Sequence, residues 1–202
     1  MVTGARFLCV FAVSLPLLTS RPTGCEQDKG SPREPVYYNP TYVPSADEVI
    51  EKMFEMAKVN ENDIVFDLGC GDGRILYMAA KKFGCRGVGL ELNPIRIREA
   101  MDQAEKYKTG TLVEIRHADA LKPRDLQDAT VVVLYMHPEF MDLWFPIAEK
   151  TLKAGTRIVA HDYIWTARVK GWEPTAIAMV KSTYRDNHKL YLWVVPEKKK
   201  SR

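Results

Sequence analysis

Asp67-Leu68-Gly69-Cys70-Gly71-Asp72-Gly73-Arg74 sets three glycines between a short apolar run and a stretch of helical periodicity. Glycines at such a junction let the backbone turn sharply and let a ligand approach without interference from a Cβ. The helix that follows offers free N–H groups at its N-terminus. Two further acids stand in related places. Glu91 closes the next apolar run, and Asp119 follows the one after that, in His117-Ala118-Asp119-Ala120. A carboxylate at the first place can accept both hydroxyls of a ribose, and one at the second could hold an adenine amino group. A cap or turn acid is the plain alternative for any one of them. For three, each at the C-terminal end of a successive strand, that alternative loses ground.

Two ligand classes use a glycine turn of this kind. Dinucleotide enzymes prefer G-x-G-x-x-G facing a pyrophosphate. Here the spacing is G-x-G-x-G, and Asp67 sits two residues before the first glycine. A carboxylate there would repel a pyrophosphate, whereas a ligand bearing an ammonium and a sulfonium would tolerate it. The pattern therefore favours S-adenosyl-L-methionine over a nicotinamide cofactor. The expected cofactor contacts are Asp67, Gly69, Gly71, Asp72, Gly73, Glu91 and Asp119.

These residues need strands and helices to carry them. Asn39 to Pro44 is extended and punctuated by proline. Ser45 is expected to cap a helix over 45–58, with Asp47 and Glu48 favourable in its first turn. Val49, Ile50, Met53, Phe54 and Ala57 recur on one face. Asp63–Leu68 is expected as the first strand. A helix follows with Ile75, Met78, Ala79 and Phe83 inward, stopped by Gly84. Gly87–Glu91 is the second strand, and Pro94 opens a helix to about Tyr107. Leu112–Arg116 is the third strand. Ala129–Met136 is a continuous apolar strand suited to the middle of a parallel sheet. Glu139–Lys150 is helical, with Pro146 as a kink or break, and Thr156–His161 is the fifth strand. Ala176–Thr183 and Lys189–Val195 then form an antiparallel pair at a sheet edge. The sum is an α/β, Rossmann-like doubly wound sheet.

The chain has 202 residues, 46% of them hydrophobic and 27% charged, enough for one packed domain and too few for two. Its net charge of +3 comes from the ends. Without Arg6, Arg21 and the tail Lys198, Lys199, Lys200 and Arg202, the stretch 26–197 stands at about −3. No basic face for nucleic acid is expected on the body. The four cysteines, Cys9, Cys25, Cys70 and Cys85, include no CxxC pair, and no histidine cluster accompanies them, so no metal site is expected. Cys70 and Cys85 are expected to be small buried residues, not a disulfide. Trp144, Trp165, Trp172 and Trp193 are too dispersed for a motif and read as packing.

Residues 1–25 form a leader in which Arg6 precedes an apolar run from Phe7 to Leu18, short of a bilayer span and interrupted by Pro16. That is the pattern of an export signal or a membrane anchor, and Thr23-Gly24-Cys25 resembles the end of a bacterial lipobox. A misplaced start codon followed by a disordered tail is the alternative. Residues 26–36 read as a flexible linker, 37–196 as the folded domain and 197–202 as a basic tail. Membrane association or export through the leader is the expected localisation, with a cytoplasmic protein as the alternative. Export would separate the protein from a cofactor made in the cytosol.

D-L-G-C-G-D-G-R together with G-L-E-L-N-P resembles the first two motifs of class I S-adenosylmethionine-dependent methyltransferases, over about residues 36–196. Tyr42-Val43-Pro44-Ser45, the glycine turn, Glu91-Leu92-Asn93-Pro94 and Trp172-Glu173-Pro174 narrow the resemblance further. They are similar to the family that includes the lysine methyltransferases of the ATP synthase c ring protein and its bacterial relatives. The resemblance implies a seven-stranded sheet with its last strand inserted antiparallel, and a protein or peptide acceptor, with lysine foremost. A small-molecule methyltransferase and a non-catalytic cofactor-binding domain are the alternatives.

Methyl transfer is an in-line displacement, so the protein must position the acceptor and present it with a free lone pair. Candidates stand at the carboxyl ends of the fourth and fifth strands. His161, Asp162 and Tyr135 are the expected catalytic residues, with His137 a weaker candidate. Many methyltransferases of DNA and protein resemble one another in an Asn-Pro-Pro-Tyr or Asp-Pro-Pro-Tyr element after the fourth strand. This chain has Leu-Tyr-Met-His-Pro, which speaks against chemistry of that particular type.

Overall fold

The computed structural model describes residues 42–197. The expected leader, linker and basic tail from Lys198 lie outside the described residues, as does the first part of the lead-in to the domain. Among the described residues four helices and seven strands follow one another: α1 (Asp47–Ala57), β1 (Ile64–Leu68), α2 (Arg74–Phe83), β2 (Arg86–Glu91), α3 (Pro94–Tyr107), β3 (Val113–His117), β4 (Val131–Leu134), α4 (Pro138–Thr151), β5 (Arg157–His161), β6 (Ala176–Val180) and β7 (His188–Val194). A single turn of 3₁₀ helix (Leu126–Asp128) precedes β4.

The strands make one sheet in the order β3-β2-β1-β4-β5-β7-β6. The first five run parallel. β7 enters antiparallel between β5 and β6. This is the doubly wound sheet with antiparallel last strands that the sequence leads one to expect. The order reverses between β1 and β4, and ligands bind at the carboxyl ends of strands beside such a switch point.

Successive strand residues point to opposite faces, and both faces are covered. Val65, Val131, Val133 and Val159 pack with α1 and α2. Phe66, Leu68, Val132, Leu134, Ile158 and Ala160 pack with α4 on the other side. That double burial is why β4 reads as an uninterrupted apolar run. All four tryptophans are buried on the α4 side, where Trp165 meets Trp193 at 4.2 Å and Trp172 at 6.1 Å between ring centroids. They are packing, as expected. Cys70 and Cys85 are both buried and unpaired.

Several local expectations change. Ser45 does not cap α1; Ala46 is the N-cap, and the Ser45 hydroxyl instead meets His161 Nδ1 at 3.1 Å. β4 stops at Leu134, since its neighbour β1 ends at Leu68 in the glycine turn and offers no further ladder. Tyr135 and Met136 are thereby released into the loop. α4 runs through Pro146 without a break. β6 ends at Val180 because Ser182 and Arg185 close a turn, with the Ser182 N–H donating to the Arg185 carbonyl. No helix among the described residues is long and apolar enough to cross a membrane.

Candidate active site

The glycine turn hangs from β2. The N–H groups of Gly69 and Cys70 both donate to the Leu90 carbonyl, at 2.8 and 3.1 Å. Gly69 lies so close to Met136, in the loop after β4, that a Cβ would come to 2.7 Å from its sulfur. The turn and the β4 loop thus share a boundary. Gly71, at φ +54, lies under the Tyr42 ring, where a Cβ would overlap the aromatic edge. Arg96 covers Tyr42 from another side, its guanidinium carbon 4.1 Å from the ring centroid.

Glu91 ties this turn to the next. Its Oε2 accepts the Gly71 N–H at 2.9 Å, and its Oε1 accepts those of Leu92 and Asn93, each at 2.8 Å. Gly71 and Glu91, twenty residues apart, are therefore joined by a direct bond, and Glu91 is half-buried at the rim. Asn93 caps α3 by accepting the Ile95 N–H, with Pro94 in the first turn.

Asp67 lies beneath the turn and is 3% exposed. Its Oδ2 has no hydrogen-bond partner. Burial, with Glu91 and Asp72 nearby, pushes its carboxyl up to about 8. A buried carboxyl oxygen without a donor is rare in folded proteins. It is the feature a cationic ligand would answer, and with the side-chain-free turn above it, it fits S-adenosylmethionine.

The other two acids are placed differently. Asp72 turns inward to the protein's own groups: it accepts two bonds from Arg74 Nε, each 3.0 Å, and one from Arg74 Nη2 at 2.7 Å. Tyr42 also bonds to it. Burial raises the Asp72 carboxyl, but Arg74 outweighs that and holds it below its ordinary value. Tyr42, buried against this carboxylate, is pushed up to about 12. Asp72 thus shapes the turn and clamps the lead-in segment over it. Asp119 accepts the Leu121 N–H through Oδ1 at 2.8 Å, the turn bond that was its plain alternative. Gly73, the last glycine, is the N-cap of α2.

The acceptor side is aromatic. Tyr135, His137 and Tyr163 stand half-buried at the ends of β4 and β5. Tyr135 and Tyr163 stack with centroids 6.2 Å apart, and His137 stacks on Tyr163 at 5.5 Å. His137 also stands at the N-cap position of α4, without a side-chain cap bond. Burial, with the charge of Asp162, raises the Tyr135 phenol. His161 stands behind this row, its ring centroid 3.9 Å from that of Tyr135. It is 1% exposed, and both its ring nitrogens have partners: Ser45 at Nδ1 and His188 at Nε2. Burial, reinforced by His188 and Arg185 against the pull of Asp162, lowers it to about 4. His161 is thus a neutral ring that supports Tyr135 from behind, without an open face for an acceptor. Asp162 is bound to Arg185, whose Nη2 lies 2.6 Å from each carboxylate oxygen. His188 was not singled out in the sequence; only the pairing of β7 with β5 brings it beside His161.

The chain is similar to known proteins in sequence and fold. Residues 67–176 match the model of the ANTKMT methyltransferase domain. A protein-lysine N-methyltransferase of Saccharolobus islandicus is 40% identical over 159 residues, covering 78% of this chain and 95% of that one. An adenine nucleotide translocase lysine N-methyltransferase of Mus musculus is 26% identical over 150 residues, 73% of this chain and 62% of that one. A solved structure of an RNA methyltransferase from Salinibacter ruber, in complex with S-adenosyl-L-homocysteine, superposes with a TM-score of 0.69 at 35% identity, over 79% of this chain and 98% of that one. With a glycine turn above an orphaned carboxylate at the sheet's switch point, and these relatives beside it, the chain belongs to the ANTKMT methyltransferase-domain family and is an S-adenosylmethionine-dependent methyltransferase.

Proposed function

We propose that the acceptor is a lysine side chain of a protein. The observation that carries this reading is the row Tyr135–Tyr163–His137, which borders the cofactor turn through Met136. Aromatic faces attract an ammonium, and a half-buried apolar wall disfavours its charge. A lysine of ordinary pKa ~10.4 must lose that proton before it can attack. A free carboxylate at the wall would oppose the loss, but Asp162 is already compensated by Arg185. Bound at the glycine turn, S-adenosylmethionine supplies an activated methyl on a sulfonium sulfur. The protein supplies position, and holding two reactants in attack geometry can contribute about 7–11 kcal/mol. The names of the Saccharolobus and mouse relatives support a lysine acceptor.

The name of the Salinibacter relative raises RNA as a second reading. The balance of about −3 over residues 26–197 weighs against it. The test supplies the enzyme with S-adenosylmethionine labelled in the methyl group, together with whole-cell protein and whole-cell RNA. Label that survives ribonuclease, is lost to protease and appears as methyl-lysine after hydrolysis supports the proposal. Label confined to nucleotides would replace it with the second reading. The apolar leader further supports an acceptor at a membrane surface. Recovery of the full-length enzyme wholly in the soluble fraction would remove that part.

A further inference from the structure

Behind the aromatic row lies a polar cluster that methyl transfer does not use. His161 ends β5 and His188 opens β7. Because His161 stands opposite Leu190 in the antiparallel ladder, His188, two residues earlier on β7, points to the same face. Their rings meet nitrogen to nitrogen, with His161 Nε2 2.9 Å from His188 Nδ1. The outer nitrogens are both held by hydroxyls: His161 Nδ1 by Ser45 at 3.1 Å and His188 Nε2 by Ser182 at 2.8 Å. Asp162 Oδ2 lies 3.6 Å from His161 Nε2. The three donor atoms fall within 4.8 Å of one another.

The outer hydroxyls can hold the ring protons on the far nitrogens. The Ser182 hydroxyl accepts the N–H groups of Tyr184 and Arg185, each at 3.2 Å, and turned to the Arg185 carbonyl at 3.3 Å it can also receive the His188 Nε2–H. In that tautomer the His188 Nδ1 lone pair is bare and turned toward His161. The Ser45 hydroxyl can rotate to accept from His161 Nδ1 in the same way, which bares Nε2. An oxygen holding the far N–H of an imidazole, so that the near nitrogen is free, is the usual support of a metal-bound histidine. Asp162 adds a carboxylate from an unusual backbone state, φ +61, in which few residues other than glycine sit. The Lys189 N–H, 2.9 Å from Oδ1, holds that carboxylate in place, while Oδ2 faces the rings and also accepts from Arg185 Nη2 at 2.6 Å.

We propose that His161 Nε2, His188 Nδ1 and Asp162 Oδ2 form a binding site for a divalent cation of the zinc class. Two neutral imidazoles and one carboxylate suit Zn²⁺ and leave one tetrahedral position for water. Ligands about 2.0–2.1 Å from such an ion stand about 3.3 Å apart, so binding opens the histidine pair by a few tenths of an ångström. Arg185, 43% exposed, can move its charge away as the ion takes over the carboxylate. The ion would join β5 to β7 and fix the His161 ring on which Tyr135 rests. The twenty-seven residues between the two histidines hide the pair from a reading of spacing. The site is independent of the methyl acceptor, so its failure would leave the lysine reading untouched.

The experiment uses the full-length protein, stripped with a chelator, dialysed against Zn²⁺ and then desalted. Elemental analysis should find about one zinc per chain, and Co²⁺ in its place should give the intense visible absorption of a four-coordinate ion. His188→Ala and Asp162→Asn should each lower zinc affinity at least tenfold, and His137→Ala should retain the metal. If His188→Ala does not fold, judged by circular dichroism, Asp162→Asn answers the same question. Zinc lost entirely on desalting, or retained equally by the folded variants, would leave a plain serine–histidine–histidine–serine hydrogen-bond chain and overturn the proposal.

Discussion

Asp67 keeps a buried carboxyl oxygen without a donor under a turn that has no side chains, an arrangement that costs stability unless a ligand answers it. Its carboxyl, about 3.8 in an open chain, is raised to about 8 here. Across that window the unfolded chain is ionised while the folded protein keeps its proton, so the cofactor-free protein loses stability as pH rises from about 4 to about 8. A cation beside Asp67 favours the ionised form. Affinity for S-adenosylmethionine should therefore rise with pH up to about 8, with a proton released on binding. Titration calorimetry in buffers of different ionisation enthalpy would show this, and Asp67→Asn should flatten the dependence. A wild-type affinity that falls over the same range would separate Asp67 from the cofactor. Gly71→Ala puts a methyl group into the Tyr42 ring at a left-handed φ. It should weaken cofactor binding about tenfold or more, ~1.4 kcal/mol, with unchanged circular dichroism. An unchanged dissociation constant would take the turn out of the site.

At the scale of the elements, the far end of the sheet is pinned by Asp63. It accepts the Asn60 N–H at 2.9 Å and the Thr130 hydroxyl at 2.7 Å, and it pairs with Arg157. Arg157 also donates to the Ala57 carbonyl at the end of α1, at 2.6 Å. One carboxylate thus joins the starts of β1, β4 and β5 to the last turn of α1. Asp63→Ala leaves the half-buried Arg157 guanidinium with its carbonyl partners alone, which should cost roughly 1–3 kcal/mol and lower Tm by about 5 °C. Turnover per folded molecule at low temperature should hold, since the site lies at the opposite strand ends. A melting temperature within a degree or so of wild type would show that the network adds little. The elements themselves were largely legible. Gly84 and Asn93-Pro94 mark helix ends by local backbone rules, and β4 is apolar because both its faces are covered. Its length was not legible, because it depends on where β1 stops.

For the whole molecule, a ligand that binds only the folded state stabilises it by mass action. At a concentration 100 times its dissociation constant S-adenosylmethionine should add about 2.7 kcal/mol, raising Tm by about 5–10 °C. NADH at the same concentration should leave Tm in place; a shift with NADH alone would contradict the cofactor assignment. From residue order alone came the alternation of strands and helices, the side-chain-free turn and the acids at successive strand ends, because turn chemistry and periodicity act over a few residues. Only the tertiary structure decided what each polar group meets. Ser45 leaves the helix cap for His161, 116 residues away. Asp72 goes to Arg74 and Tyr42, and His188 finds His161 through the insertion of β7 beside β5. Those pairings follow from the order in which strands lie side by side, and burial enforces them, since a polar group removed from water must take the partner the sheet brings to it.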